Sequence, residues 1–245
     1  MTLGQVGLSV LSMAEGSPAG EDAAYLEWHL LDHLPEQYQL DGMRYGQRWA
    51  STPACRAARA AESDRFAPVA HVTQYLMGDP ADGVVDRFLD LGAQLAAAGR
   101  YSVRLPSVLL GAFVPTGASA AARVSISPEV VPFRPNTGLY LVLEEPPADG
   151  TPAADGDWLA GGHLPALVEV DGVAGAWWFT PAQIRPDRLD AGGLSLTALY
   201  LDGDPVEVAR ALVDPLRARW DQWGIAPALA APFVAVRAWS WPDVG

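Results

Sequence analysis

The chain is predicted to be an α+β protein: two diverged copies of one β-α-β-β-α-β unit, joined head to tail and closed on each other into a single barrel. Three observations carry this. Residues 27–49 align without gaps on residues 157–179, pairing Trp28 with Trp158, His33 with His163, Leu34 with Leu164, Pro35 with Pro165, Asp41 with Asp171 and Gly42 with Gly172, each pair 130 residues apart. Further on, Tyr75-Leu76-Met77-Gly78-Asp79-Pro80 matches Tyr200-Leu201-Asp202-Gly203-Asp204-Pro205 at a spacing of 125, the change that a shortened loop before the third strand would give. The third observation is that both copies run through apolar stretches, turn signals and helical patterns in the same order. Two matches in one order mean duplication.

Each element follows from local chemistry. An apolar run opens each copy (Val6 to Leu11; Leu139 to Leu143), followed by a loop rich in Gly, Pro and Asp. A helix then carries the tryptophan and is expected to end near His-Leu-Pro, because proline disfavours helical geometry in the residue before it. Asp-Gly turns the chain into a second strand (Met43 to Ala50; Val173 to Thr180), and a third (Val69 to Met77; Leu194 to Leu201) stops at Gly-Asp-Pro. There Asp79 and Asp204 are expected N-caps, with Pro80 and Pro205 at the first helical position. The second helix (Ala81 to Ala98; Val206 to Trp223, with a kink expected at Pro215) leads to a fourth strand (Val108 to Val114; Phe233 to Trp239). The boundaries are 1–120 for the first repeat, 121–136 for a connector whose Val124 to Phe133 part is a candidate extra strand, and 137–245 for the second repeat.

Such a unit forms a four-stranded antiparallel sheet with both helices on one face. Its other face is apolar and costly to leave in water, at ~25 cal/mol per Å². Two sheets facing each other cover both, giving an intramolecular dimeric α/β barrel of two ferredoxin-like repeats.

Composition removes several classes of function. The formal charge is −13 and no basic stripe is visible, which argues against nucleic acid as a partner. Every one of the 16 cationic residues is Arg. The apolar runs are far short of the ~20 residues of a membrane span, and the N-terminal stretch lacks the basic start of a signal peptide. A single cysteine, Cys55, permits no intramolecular disulfide and no cysteine metal cluster. A cytoplasmic protein is expected, either a monomer with a pseudo-dimeric barrel or a homodimer of it. There is no phosphate-binding Gly-rich loop in the required strand-to-helix context and no Gly-x-Ser-x-Gly elbow.

The stretch Glu-Trp-His-Leu-Leu-Asp-His-Leu-Pro, followed by Asp-Gly-Met-Arg-Tyr-Gly-Gln-Arg-Trp, resembles the EthD-like branch of the dimeric α/β-barrel superfamily. The matching positions are Trp28, His33, Pro35, Gly42 and Arg48, with Trp158, His163, Pro165 and Gly172 in the second half. The second half departs from the pattern, with Ala174 at the Arg44 position and Trp178 at the Arg48 position. The resemblance implies the fold and a wide range of chemistry: cofactor-independent monooxygenases, decarboxylases, dehydratases and cyclases, lactone isomerases and haem enzymes.

The residues suggest a site without selecting a reaction. His33 titrates near neutrality and suits general acid/base work, although a helix-terminal His that bonds free carbonyls is an equally ordinary role. His29 and His33 have the i, i+4 spacing of metal ligands, but no third ligand completes a motif, so no metal is expected. For haem, His71 or His163 would be the proximal ligand, and nothing in the spacing chooses between them.

Strand alternation puts Met43, Tyr45, Gln47 and Trp49 on one face and Arg44, Gly46 and Arg48 on the other. The more apolar set is expected to meet the helices, turning Arg44, Arg48 and, in the second copy, Trp178 into the barrel. There the arginines would bind a carboxylate or enolate, or a protein carboxylate, and Trp178 would stack on a flat ligand. His71 and Tyr75 share one face of the third strand and would form a proton-transfer pair if that face looks inward.

The leading expectation is a cofactor-independent enzyme acting on an aromatic, polyketide-like or lactone molecule, with His33, His71 and Tyr75 catalytic and Arg44, Arg48 and Trp178 binding. The alternatives are a non-catalytic barrel for a small hydrophobic ligand, a haem-binding barrel, and a purely structural pseudo-dimer with a filled interior.

Overall fold

The computed structural model describes residues 5–101, 103–146 and 162–244. Its strands are β1 (Leu8–Glu15), β2 (Met43–Ala50), β3 (Ala61–Glu62), β4 (Val69–Met77), β5 (Ser107–Ala120), β6 (Gly138–Glu144), β7 (Val173–Pro181), β8 (Ser195–Leu201) and β9 (Pro227–Ala235). Its helices are α1 (Asp22–Trp28), a π turn (His29–His33), α2 (Leu34–Gln37), α3 (Pro53–Ala57), α4 (Asp82–Ala97), α5 (Leu164–Val168) and α6 (Pro205–Trp223). The expected first helix of the second copy, with Trp158, lies mostly outside the described residues.

Each half has the same strand order, β2-β4-β1-β5 and β7-β8-β6-β9, and every pairing is antiparallel. The two sheets join through β5–β7, over a long register from Phe113↔Pro181 to Ala120↔Gly175, and through the short β2–β9 seam of Trp49↔Ala235 and Ala50↔Val234. Eight strands thus close a barrel, with β3 paired outside it on β9. Closure leaves no free edge among the main strands.

The interior of the barrel is packed solid. Leu11, Met13, Trp49, Leu76, Phe113, Trp177, Phe179, Tyr200 and Phe233 belong to one buried cluster fed by both halves. Its few polar groups satisfy one another. The Tyr200 hydroxyl donates to Gln74 Oε1 (2.7 Å), and Gln74 Nε2 donates to Ser9 Oγ (3.1 Å). At one end Asn136 Oδ1 accepts from Trp49 Nε1 and Gln47 Nε2, both at 3.0 Å. The filled interior is what the structural pseudo-dimer reading expected of the barrel itself.

Two further clusters lie between each sheet and its helices. Leu8, Val10, Leu34, Tyr75, Val85 and Phe88 form the first-half layer. Tyr140, Leu164, Trp178, Leu212, Leu216 and Trp220 form the second-half layer. The Asp-Gly turns repeat as expected: Gly42 and Gly172 have φ of +90° and +85°, and a Cβ there would strike Val84 and Val208 at 2.4 and 2.5 Å. Only glycine fits both the angle and the space.

Several local expectations need correction. The first helix does not end at His-Leu-Pro. The Leu34 N–H bonds the His29 carbonyl, a π-type i−5 bond, and the chain continues through Pro35 to Gln37. Asp204 caps α6 by accepting from the N–H groups of Val206 and Glu207, but α4 starts at Asp82 and Asp79 caps nothing. The stretch expected as an extra strand forms two 3₁₀ turns, Ala122–Val124 and Pro128–Phe133. The last strand is Pro227–Ala235, six residues earlier at its start than predicted, because Arg237–Ser240 makes a turn. No helix among the described residues is long and apolar enough to cross a membrane.

Candidate functional site

The arginines and tryptophan expected inside the barrel lie elsewhere. Trp49, Trp177 and Phe179 take the interior. Arg48 consequently faces the first-half helices and Trp178 the second-half helices, while Arg44 is exposed with its guanidinium over Gly78. The physical reason is enclosure. The barrel interior is sealed by two sheets and takes the bulkiest apolar side chains, whereas the helix-facing layer of the first half is broken by a cavity and tolerates polar groups.

That layer is built from β2, β4 and the α1–π–α2 segment. On β4, alternation turns His71, Thr73 and Tyr75 to the helix side, where pairing sets them opposite Ala50, Arg48 and Gly46 of β2. Gly46 has a local purpose: a Cβ there would lie 2.6 Å from Leu34 Cδ1, so its absence lets α2 settle onto the sheet. The π turn adds His29 and His33. His29 Nε2 lies 3.0 Å from the Tyr75 hydroxyl, and His33 stacks on Trp28 with ring centroids 5.0 Å apart. Trp28 is fixed by its Nε1–H bond to the Arg100 carbonyl, and Tyr101 closes on both Trp28 and His33 at 5.1 and 5.2 Å.

At the start of α1, Asp22 Oδ1 sits 2.6 Å from His71 Nε2 and also accepts the Ser17 N–H. Arg48 is 2% exposed, donates through Nη2 to the Tyr25 hydroxyl at 3.0 Å, and lies 4.5 Å from the centre of the Tyr25 ring. Its Nε and Nη1 have no hydrogen-bond partner, and no carboxylate of the described residues pairs with it. His29 Nδ1, His71 Nδ1 and Thr73 Oγ1 are likewise buried without partners. Buried polar atoms are usually satisfied, so a concentration of orphans around one cation sets this layer apart from the rest of the core.

A cavity of about 440 Å³ opens beside this cluster. Trp28, Phe88 and Tyr101 wall it, Tyr75, His29 and His33 reach it from the sheet and the π turn, and Arg104 and Arg188 line it from two loops. Burial holds the histidines neutral, with the Arg48 charge as the next cause: His33 and His71 fall to about 4, and His29 falls well below the ordinary value. Burial pushes the Tyr75 hydroxyl up, so it stays protonated.

The tautomer of His29 follows from its surroundings. Donation from Nε2–H to the Tyr75 oxygen leaves only an acceptor, Nδ1, unpaired; the reverse would bury an unpaired N–H, the rarer and costlier orphan. The Tyr75 proton is then free to point into the cavity.

The geometry can be set beside known proteins. No family model and no curated protein sequence matches the chain. Solved structures do. An anthrone oxidase-like protein matches with a TM-score of 0.51 and 11% identity, over 97% of this chain and 94% of that one. The fold is the duplicated dimeric α/β barrel. A candidate monooxygenase of Fusobacterium nucleatum matches at 0.56 and 9%, over 96% and 94%. A mutant chlorite dismutase of Candidatus Nitrospira defluvii, in complex with cyanide, matches at 0.52 and 10%, over 96% and 92%. At these identities the likeness is one of fold.

The first-half histidines do not suit a haem ligand. The Nε2 atoms of His29, His33 and His71 are engaged by Tyr75, Gln37 and Asp22 respectively. Among the described residues no group of three or more His, Cys, Asp or Glu side chains could hold a metal ion.

Of the residues named from sequence, then, His33 and Tyr75 line the cavity, His71 and Arg48 stand behind it, and Arg44 and Trp178 are remote. Sequence reasoning missed Asp22, Tyr25, Tyr101, Arg104 and Arg188, and took His29 only as a metal candidate. The i, i+4 spacing of His29 and His33 was the one signal available for that pair.

Among the described residues the second half has no such cluster. Pairing places Trp178 opposite Thr197 and Ala176 opposite Leu199, so Trp178 fills the Arg48 slot and Leu199 the Tyr75 slot. Its buried charges among the described residues are the Glu144–Arg219 ion pair, to which Trp220 Nε1 adds a bond at 2.8 Å. His163 is buried and held down to about 3 by burial and by Arg219.

Proposed function

We propose that the chain is a cofactor-independent enzyme of EthD-like type, acting by proton transfer on an enolisable aromatic or polyketide-like molecule in the first-half cavity. The observation that carries this is the joining of an aromatic-walled cavity to neutral His33, the His29–Tyr75 pair and a buried Arg48 that no carboxylate neutralises. Gln37 Oε1 has no partner as placed, and exchanging the amide O and N lets it accept the His33 Nε2–H, which leaves His33 Nδ1 to accept the proton as a substrate C–H bond breaks. The electron pair moves onto the conjugated oxygen, which takes a hydrogen bond from the Tyr75 hydroxyl. Arg48, buried behind the lining, stabilises the developing negative charge through its low-dielectric surroundings. Asp22 fixes the His71 tautomer and, with Tyr25, holds the polar layer in place behind the cavity. Dehydration with cyclisation, isomerisation, and attack of the carbanion on dioxygen all begin with such a step, while decarboxylation releases carbon dioxide to reach the same enolate and ends with the reverse proton transfer.

The barrel interior is filled, so a non-catalytic ligand site there finds no support in the packing.

Deuterium exchange at the acidic methylene of anthrone, followed by NMR in D₂O, tests the reading without assuming the later steps. The protein should accelerate exchange over buffer, and His33→Ala and Tyr75→Phe should each remove at least ten-fold of that acceleration. Absence of acceleration, or full retention in both variants, overturns the reading.

A further inference from the structure

The loop after β7, residues 182–191, belongs by sequence to the second half but packs on the first. Ala182 and Leu189 are buried in the first-half layer with Val85 and Phe88. Arg185 clamps the loop to α4 through a forked pair to Asp86, at 2.7 Å from Nε and 2.5 Å from Nη2. The clamp holds Arg188 at the edge of the first-half cavity. There it lines the same opening as Arg104, which lies 5.1 Å from the centre of the Tyr101 ring.

The charge balance at this opening is unusual for the chain. The protein has 29 acidic residues against 16 arginines, yet the cavity is lined by two arginines and, among the described residues, by no carboxylate. Among the described residues neither arginine forms an ion pair, whereas Arg59, Arg100, Arg123, Arg134, Arg185, Arg210 and Arg219 all do. Asp187 and Asp190 neighbour Arg188 in sequence but do not line the cavity, and Asp190 is turned to the Gly192 N–H.

We infer that the ligand of this cavity is an aromatic anion bearing a carboxylate or similar acidic group, and that Arg188 and Arg104 hold that group at the mouth while its rings lie among Trp28, His33 and Tyr101. The site is therefore incomplete without the second half, which supplies a specificity residue across the barrel seam. A guanidinium pair suits the planar fork of a carboxylate. This rests on the reading of the cavity as a small-molecule site, and the test separates the two.

Calorimetric titration with 2-naphthoate and with its neutral counterpart 2-naphthalenemethanol measures the charge preference. The wild type should bind the anion at least ten-fold more tightly, with the advantage shrinking in high salt. Arg188→Gln should remove most of the preference while leaving the affinity for the alcohol unchanged, Arg188→Lys should restore part of it, and Arg188→Glu should reverse it. Arg217→Gln, an exposed change on α6, should leave the preference intact. Both residues of the proposed pair are exposed, so the variants should melt like the wild type. Equal binding of the two probes by the wild type, or a preference that survives Arg188→Gln, overturns the anion assignment and leaves the cavity reading standing. Failure of both probes to bind overturns both.

Discussion

Replacing Arg48 by methionine separates a functional cation from a structural one. In the folded protein Arg48 is 2% exposed and its Nε and Nη1 donate to nothing. A buried donor without a partner costs about 1–3 kcal/mol, so the two together cost about 2–6 kcal/mol. Arg48→Met removes that cost and keeps most of the apolar stem. It forfeits the hydrogen bond to Tyr25, about 1 kcal/mol, and the stacking on the Tyr25 ring, about 0.5–2 kcal/mol. The balance runs from about 1 kcal/mol less stable than the wild type to about 4.5 kcal/mol more stable.

At about 2–4 °C per kcal/mol for a chain of this size, Tm should lie between about 4 °C below and about 18 °C above the wild type. Two further readouts follow. Arg48 is the second cause, after burial, of the low proton affinity of His29, His33 and His71, so NMR titration should show all three pKa values rise while burial keeps them below 6.5. Anthrone exchange should fall by roughly 10²-fold or more, the scale for losing one preorganised stabiliser of an oxyanion. Denaturant unfolding, histidine titration and exchange are thus measured on one variant. A loss of more than 2 kcal/mol of stability with exchange intact would show that Arg48 is a framework residue and refute the argument.

The remaining predictions are more compact. Tyr75→Phe should retain the fold at a cost of about 1 kcal/mol for the lost bond to His29, and should lower anthrone exchange by at least ten-fold. Glu144→Gln leaves Arg219 buried beside a neutral amide and should destabilise by about 3–5 kcal/mol in urea unfolding, whereas removal of the exposed Glu207–Arg210 pair should be barely measurable. The histidines make stability fall in acid. Folded His33 and His71 titrate at about 4 and His163 at about 3, against about 6.5 when unfolded, so the unfolded chain binds more protons between those values. Stability is fully present above about pH 6.5 and drops as pH falls toward 4, by up to about 1.4 kcal/mol per pH unit for each histidine. A urea midpoint that stays flat from pH 7 to 5 would contradict the burial assigned to them.

The architecture was legible because it is written in backbone chemistry. Asp-Gly turns, strand-length apolar runs and a repeated order survive divergence, and β2 and β4 fall at the predicted bounds. The site was legible in part. His33, His71, Tyr75 and Arg48 do gather in one layer, but the face was inverted. Counting apolar residues on β2 could not say whether helices or a facing sheet would be the drier neighbour. Trp49 answers it by lying in the interior at 1% exposure. Asp22, Tyr25, Arg104 and Arg188 were out of reach for another reason: they come from loops and helix ends whose position is set by tertiary packing, and no spacing links them to β2 or β4.

The second correction concerns register, and it explains why only one half carries the cluster. The sequence match pairs Tyr75 with Tyr200, but strand pairing makes Leu199 the counterpart of Tyr75 and Leu76 the counterpart of Tyr200. A slip of one residue turns a side chain to the opposite face of a sheet. Tyr75 accordingly faces the helices and bonds His29, while Tyr200 faces the barrel and bonds Gln74. The extra residue is accommodated after β8, where Asp202 and Gly203 share the Gly172 carbonyl that Gly42 offers to Gly78 alone in the first half. Asp202 then receives Arg123 and Arg134 of the connector, which lower its pKa to about 2. The inserted position thus ties the connector to the second half, while Trp178 fills the slot where an arginine would be needed. Restoring a second cluster would require clearing that indole and refacing a tyrosine at once. With the loop that bears Arg188 already committed to the first half, the proposed function makes the divergence of the two copies a division of labour: one sheet would hold the chemistry, and the other closes the barrel and would complete the mouth of the site.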